Sequence, residues 1–344
     1  MTHKVCFKPV DIEIDVEEGE TILNAAFRQG VMLMHGCKEG QCSACKSYLL
    51  SGDMDMARYS TFALADYEHD EGYVLLCRSY AYSDLEIELI NYDEDMLRSG
   101  IILQEVDTVV VSVEALTHDM RRLVLRLVDP VKMAFSAGQY VDITIPGTQH
   151  TRSYSMANAP SSGDQLEFLI KIYPGGRFSG LLDGRLQVGE HLRVKGPYGM
   201  STLRAGSQRD LVLVGGGAGM APLLAILRSL AEEESRRKIT YYYGARKTSD
   251  LFYQGELEAL QQLLPNFTFV PALSDENPGG GWTGEQGMVT EVLERLESDL
   301  REVEVYLCGP PPMIDAGSRV LITLGIDKAN MYADKFTSTA DTEE

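Results

Sequence analysis

Hydrophobic and polar residues change rhythm three times along this chain. Near the start, Val5 and Phe7, then Ile12, Ile14 and Val16, alternate with polar residues on either side of Lys8-Pro9. That pattern predicts two strands joined as a hairpin. Thr21 is placed to cap a short helix through Asn24–Arg28, which Gly30 ends. Tyr73–Leu76 reads as an apolar strand, and Leu85, Ile87 and Leu89 alternate with glutamates in another. Residues 91–102 carry no period and read as a linker. From Gln104 to about Leu203 short strands follow one another: Val106–Val113, Met120–Leu127, Gln139–Ile145, Leu166–Ile172 and His191–Lys195. Only Ser179–Leu186 is patterned as a helix there, so an antiparallel β-barrel is predicted. After Asp210, strands (Leu211–Val214, Ile239–Tyr243, Phe267–Ala272, Glu304–Leu307) alternate with helices (Met220–Glu234, Gly255–Leu264, Met288–Glu294, Met313–Leu324). That alternation predicts a doubly wound parallel sheet. The tail Thr337–Glu344 is expected to be frayed.

Composition narrows the class. With 344 residues, 44% hydrophobic and 24% charged, the chain has room for two or three cores. Its first residues lack the apolar core of a secretory signal. The uncharged stretch Leu211–Leu227 is shorter than the ~20 residues of a membrane span and holds glycines and a proline. No membrane segment is therefore expected. A net charge of −20 would repel nucleic acid. Residues 1–95 hold 19 acidic against 7 basic side chains, a net of −12. Two readings stand: solubility, or a docking face for a basic protein partner.

Four cysteines, Cys37, Cys42, Cys45 and Cys77, are spaced C-x4-C-x2-C with a fourth after a long gap. This is the plant-type ferredoxin pattern for a [2Fe–2S] cluster, in which each iron takes two thiolates. A structural zinc site would favour a second C-x2-C knuckle around Cys77, and there is none. Gly36 and Gly40 suit a loop that wraps a bulky core and aims N–H groups at its sulfurs. His35 reads as a loop or packing residue, since four thiols already fill the site. With four of the six cysteines so committed, a reducing, cytoplasmic compartment fits.

A second constellation begins at Arg152-Ser153-Tyr154-Ser155. It continues through Ile170-Lys171-Ile172-Tyr173-Pro174-Gly175-Gly176-Arg177-Phe178-Ser179 and ends at Lys195-Gly196-Pro197-Tyr198-Gly199. Together these resemble the flavin domain of the ferredoxin–NADP reductase superfamily. The resemblance implies FAD, with Arg152, Arg177 and Ser179 on the pyrophosphate. It implies Tyr154 against the flavin ring and Ser155 near the atom that accepts hydride. Ser153, Ile170, Lys171, Ile172, Gly176 and Phe178 lie in the same matching segments and are implied FAD contacts.

A third constellation is the glycine turn Gly215-Gly216-Gly217-Ala218-Gly219, set between a buried strand and a helix. By position it is a phosphate-binding turn. Cys308-Gly309-Pro310-Pro311-Pro312-Met313 follows the last strand. In the superfamily the like segment lies over the nicotinamide, so Cys308, Gly309, Pro310 and Met313 are implied there. Tyr243-Gly244-Ala245-Arg246 lacks the serine of NADP-specific members, and Asp250 adds negative charge where a 2′-phosphate would go. NADH is favoured, with Arg246-Lys247 the opposing observation and Gly244 and Arg246 the implied contacts. Phe336 would shield the flavin by resemblance, or simply pack a terminal strand.

The expected architecture is multidomain (α+β, β and α/β). A β-grasp [2Fe–2S] ferredoxin domain spans 1–95 and a linker 96–103. An FAD-binding barrel spans 104–205 and an NAD-binding α/β domain 206–344. The domain order resembles the reductase components of multicomponent bacterial oxygenases, and the segments Cys37–Lys46, Gly72–Arg78 and Asp84–Leu89 are most similar to those of soluble di-iron monooxygenases, the propane and methane types. That family implies electron flow from NADH through FAD and [2Fe–2S] to an oxygenase hydroxylase component, from a reductase that is a monomer when free. A flavin fits between because it takes electrons in pairs and releases them singly. No acid or base catalyst is nominated. The alternative is the reductase of a Rieske ring-hydroxylating dioxygenase, which has the same domain order. A passive redox sensor would have no use for the flavin and NADH motifs; a stand-alone flavin reductase feeding free acceptors stands as a further reading, separated by whether activity survives removal of the cluster.

Overall fold

A computed structural model describes residues 2–204, 206–275 and 281–336. The chain divides into two compact units, Met1–Gln104 with Pro197–Met200, and Glu105–Gly196 with Ser201–Glu344. The tail 337–344 lies outside the described residues.

In the first unit, β1 (Thr2–Lys8) and β2 (Ile12–Glu17) form the expected hairpin, with Val5 opposite Ile14. The Thr21 side chain accepts from the Asn24 N–H at the start of α1 (Ile22–Arg28). Then come β3 (Lys46–Ser51), β4 (Met54–Met56), α2 (Asp66–Asp70), β5 (Tyr73–Leu75), β6 (Ser79–Ala81) and β7 (Leu85–Leu89). The main sheet runs β2-β1-β7-β3-β5, with β1 and β7 parallel, and a small ladder pairs β4 with β6. The alternating residues decide which face is covered. Val5, Phe7, Ile14, Phe27 and Ile87 are all at most 2% exposed, while Glu86 and Glu88 face out. Within the span expected to be linker, Asp93 caps a single turn, α3 (Glu94–Leu97), whose Met96 and Leu97 are buried.

The second unit opens with six strands: β8 (Gln104–Ala115), β9 (Met120–Asp129), β10 (Tyr140–Thr144), β11 (Thr151–Ser155), β12 (Gln165–Lys171) and β13 (His191–Tyr198). Their order is β11-β10-β13-β8-β9-β12, and a bridge between Met156 and Phe168 joins the two ends into a nearly closed antiparallel barrel. The sequence pattern missed β11 because its inward and outward residues are all polar or aromatic (Thr-Arg-Ser-Tyr-Ser). The helix expected over Ser179–Leu186 is only a 3-10 turn, Ser179–Leu182. Gly180 and Gly184 make a longer helix costly, and Gly184 has φ +86°.

The rest is a parallel sheet: β14 (Asp210–Gly216), α4 (Met220–Glu232), β15 (Ile239–Ala245), α5 (Gln254–Leu263), β16 (Phe267–Leu273), β17 (Glu285–Gln286), α6 (Val289–Leu296), β18 (Val303–Gly309), α7 (Pro311–Thr323) and β19 (Met331–Lys335). Strand order is β17-β16-β15-β14-β18-β19, every pairing parallel. Period-two alternation assigns the faces. Leu211, Leu213, Tyr241 and Tyr243 join the core that α4 and α5 cover. Val212, Val214 and Tyr242 join the one that α6 and α7 cover. Trp282 donates its indole N–H to Glu285 O at 2.9 Å and packs on the first of these cores, a structural role.

Candidate functional site

The cysteine loop is shaped by its backbone. Gly40 (φ +72°) and Lys38 (φ +60°) turn it through left-handed conformations, and a Cβ on Gly40 would come 2.9 Å from Arg78 Cγ. The loop then presents N–H groups to sulfur: Glu39 and Gln41 donate to Cys37 Sγ at 3.4 and 3.2 Å, and Cys37 to Cys42 Sγ at 3.4 Å. Among the described residues the thiols stand as two hydrogen-bonded pairs, Cys37 with Cys42 and Cys45 with Cys77, not as a closed ligand set. The Cys42 thiol above all, against the cost of burial, holds Cys37 down to about 5. Within each pair one thiol is easier to ionise and its partner harder. Sulfurs preset in pairs and met by N–H donors suit thiolates bound two to an iron. His35 is buried in the same unit, its Nδ1 2.8 Å from Leu33 O and its Nε2 accepting from the Gly199 N–H at 3.0 Å. Both ring nitrogens are engaged, as a packing residue requires.

The predicted flavin residues lie on β11, on β12 and in the turn that follows it. Register sets Arg152 opposite Ile143 and Tyr154 opposite Val141. Tyr154 packs its ring on Phe178, centroids 5.3 Å apart, and burial pushes its hydroxyl pKa up. Ser155 is buried, and Ser153 Oγ donates to Asp142 at 2.6 Å. In the turn that follows β12, a Cβ on Gly176 would meet Ser179 Oγ at 2.2 Å and push that hydroxyl off the Tyr173 N–H it accepts from. Arg177 and Arg185 line a cleft of about 420 Å³ with Gly175, Gly176, Gly180 and Leu181. Arg185 turns its Nε and Nη2 donors onto Gly180 O, and Arg177 beside the glycine turn suits a diphosphate. Four other predicted contacts have structural partners. Ile170 and Phe178 belong to the barrel core, and Lys171 forms a 3.0 Å ion pair with Asp119. The Ile172 N–H donates to Asp119 O at 2.7 Å.

The predicted nicotinamide residues converge at the carboxyl ends of the parallel strands. A Cβ on Gly219 would fall 1.9 Å from Cys308 O, and one on Gly216 2.9 Å from Met313 Sδ. Gly309, at φ +149°, would set a Cβ 2.8 Å from Met313 Cε. The glycine turn and the Cys308–Met313 segment therefore pack closely, Gly219 against backbone and Gly216 and Gly309 against the Met313 side chain. Gly215 pairs with Cys308, and Gly244 packs on Val289. Ala218 is half-buried, while Arg246 and Pro310 are exposed. Burial first, then the Asp334 charge, drives the Cys308 thiol pKa well up, so the thiol stays neutral. Phe336 lies just past β19, its N–H donating to Gly309 O at 2.9 Å, which ties it to the nicotinamide segment.

Sequence reasoning missed several residues that hold these parts in place. Tyr243 donates its hydroxyl to Gly217 O at 3.1 Å; its signal was the Tyr-Tyr-Tyr run ending the strand beside the glycine turn. Glu167 on β12 meets Arg228 of α4 at 3.2 Å and Arg122 of β9 at 3.3 Å, and accepts from the Tyr253 hydroxyl at 2.8 Å. No motif announces that network, because its members lie far apart in sequence.

Comparison with known proteins agrees part by part. Residues 7–82 match the 2Fe-2S iron-sulfur cluster binding domain family, 107–202 the oxidoreductase FAD-binding domain family and 213–319 the oxidoreductase NAD-binding domain family. The fold and its sites thus define an iron–sulfur flavoprotein oxidoreductase that uses a [2Fe–2S] cluster, FAD and NADH. The reductase component of propane 2-monooxygenase from Mycolicibacterium goodii is 53% identical over 98% of both chains. The electron transfer component of toluate 1,2-dioxygenase from Pseudomonas putida is 34% identical over 99% of this chain and all of its own. The crystal structure of a cytochrome P450 reductase from Amycolatopsis matches with a TM-score of 0.88 at 31% identity, covering 98% of this chain and 99% of that one. The chain belongs to the family of reductase components of multicomponent monooxygenases.

Proposed function

We propose that this reductase feeds a soluble di-iron hydroxylase acting on a small alkane of the propane class. The observation that carries the reading is the 53% identity to a propane 2-monooxygenase reductase along the whole chain. The lower identity to the toluate dioxygenase component weighs against a Rieske partner.

In this reading Cys37 and Cys42 hold one iron and Cys45 and Cys77 the other, following the two thiol pairs. Arg152, Arg177 and Ser179 bind the FAD diphosphate, Tyr154 packs against its ring, and Ser155 offers a hydroxyl beside the hydride-accepting atom. Gly215–Gly219 hold the NADH diphosphate at the amino end of α4. Met313, Cys308 and Pro310 wall the nicotinamide, and Phe336 covers the flavin until it enters. FAD held by these residues would supply the conversion between a hydride's electron pair and the single electrons an iron–sulfur centre accepts. The chain's own work is to bind, align and keep water out; Cys308, held neutral by burial, serves as an apolar wall and not a nucleophile. The domain limits 1–95, 104–205 and 206–344 and a monomeric free reductase complete the reading.

The test is to mix NADH-reduced protein anaerobically with a purified propane-type di-iron hydroxylase and, separately, with a Rieske oxygenase, following flavin and cluster absorbance by stopped flow. Fast reoxidation by the di-iron protein alone is expected. Fast reoxidation by the Rieske protein alone would replace this reading with the dioxygenase one.

A further inference from the structure

Phe62 is 97% exposed, more than any other large apolar side chain among the described residues. It does not hang from a loose loop. Its turn is closed by the Ala63 and Leu64 N–H groups donating to Ser60 O at 2.9 and 3.2 Å. The Phe62 N–H donates to Ser60 Oγ at 3.3 Å, and the next two side chains, Ala63 and Leu64, are fully buried. The chain therefore holds a rigid platform and then points a phenyl ring at water, forgoing burial that the neighbouring positions achieve.

The platform is bolted to the cysteine loop. The Ser60 N–H donates to Gly40 O at 2.9 Å, and Ser43 Oγ donates to Ala63 O at 3.0 Å. Gly40 and Ser43 lie on either side of Cys42. A protein that comes close enough to this loop to take an electron must also cover the Phe62 turn. Just beyond the turn, Asp66, Asp70 and Glu71 are exposed, as is Tyr67 at 66%. They belong to the segment of 1–95 whose net charge is −12.

We propose that Phe62 anchors the surface through which the reductase docks on its oxygenase component, seating its ring in an apolar socket with a basic rim that meets Asp66, Asp70 and Glu71. The proposal rests on the reading that an oxygenase component takes electrons from the cluster. An aromatic anchor ringed by charge is the usual economy of a transient interface: the ring supplies affinity, and the acidic residues supply steering.

The two contributions separate by salt. Phe62→Ala is expected to weaken transfer to a propane-type di-iron hydroxylase about tenfold or more, at low and high ionic strength alike. Phe62→Trp is expected to keep most of it. Asp66→Lys with Asp70→Lys is expected to slow association strongly at low salt and little at high salt. Iron content, FAD content and flavin bleaching by NADH check that each variant is folded and loaded. Transfer by Phe62→Ala at the wild-type rate, across the hydroxylase concentration range, would overturn the proposal. If the wild type reduces only a Rieske oxygenase, the di-iron reading fails instead, and the same variants are judged on that oxygenase. If the wild type reduces neither protein, both the docking proposal and the reading beneath it are overturned.

Discussion

The cysteine loop and the glycine turn after β14 are both tight, glycine-dependent turns built to receive a charged group, yet they are crowded by different things. In the cysteine loop the missing Cβ atoms face side chains and sulfur: Gly36 lies against Cys42 Sγ, at 3.1 Å, and Gly40 against Arg78 and Tyr59. In the nicotinamide turn Gly219 faces backbone, the Cys308 carbonyl at 1.9 Å. The Cys42 thiol beside Gly36 can shift, whereas the strand carrying the Cys308 carbonyl beside Gly219 cannot. The first site is therefore completed by what it binds, and the second is finished before its ligand arrives. The lesson is that the two units should depend on different things: the first on iron, the second on packing.

The sharpest way to break that comparison is Cys42→Ser. It is expected to abolish the cluster absorbance and all transfer to the oxygenase, while NADH still bleaches the flavin at the wild-type rate. Loss of flavin bleaching as well would show that the units are not independent. The reciprocal change is Gly219→Ala, which forces a methyl into a carbonyl and should cost about 3 kcal/mol of the second unit's stability. Slower flavin reduction and a lower flavin-release temperature are expected, with iron content unchanged. A wild-type melting profile would mean that the strand yields after all.

That asymmetry also explains what the sequence could disclose. The cysteine pattern, the Arg152–Ser155 segment and the glycine turn stood out in the sequence because each, Cys77 apart, gathers its residue types within a few neighbouring positions. Most strands and helices were legible because one face of each is covered and its period shows. What was hidden either lacks a period or is spread along the chain. β11 is polar on both faces, the turn after Phe178 breaks at glycines, and β17 has only two residues. Glu167, Arg122, Arg228 and Tyr253 meet only once the chain has folded.

That buried network gives the second unit a pH dependence that the first does not share by the same route. Burial alone would raise the Glu167 pKa, but Arg228 and then Arg122 outweigh it and hold the carboxyl below its usual 4.5. A depressed pKa contributes stability that is present above about 4.5 and lost as pH falls through the folded value. Glu167→Gln should cost about 2 kcal/mol at neutral pH, because two half-buried guanidiniums lose their shared carboxylate and keep only Glu256 and Glu114. It should also flatten the loss of stability between pH 5 and pH 3. An equally steep acid limb in the variant, read by urea unfolding of the flavin fluorescence, would assign the acid sensitivity elsewhere.

The smallest expected effect probes the finished site itself and has the opposite sign. Asp334 pairs across the sheet with Cys308, and burial raises its pKa from 3.8 to about 6. A carboxyl raised on folding favours the folded state most below its unfolded value, and that advantage fades as pH climbs to about 6. Above that, the ionised group is a standing cost beside a neutral, buried thiol. Asp334→Asn keeps the hydrogen-bonding shape without the charge. It should raise the melting temperature of the second unit by a few degrees at pH 8 and by less at pH 4.5. An equal gain at both pH values would mean that shape, not charge, sets the effect. The nicotinamide turn would then be tuned by packing alone, and its contrast with the iron-dependent loop would be sharper still.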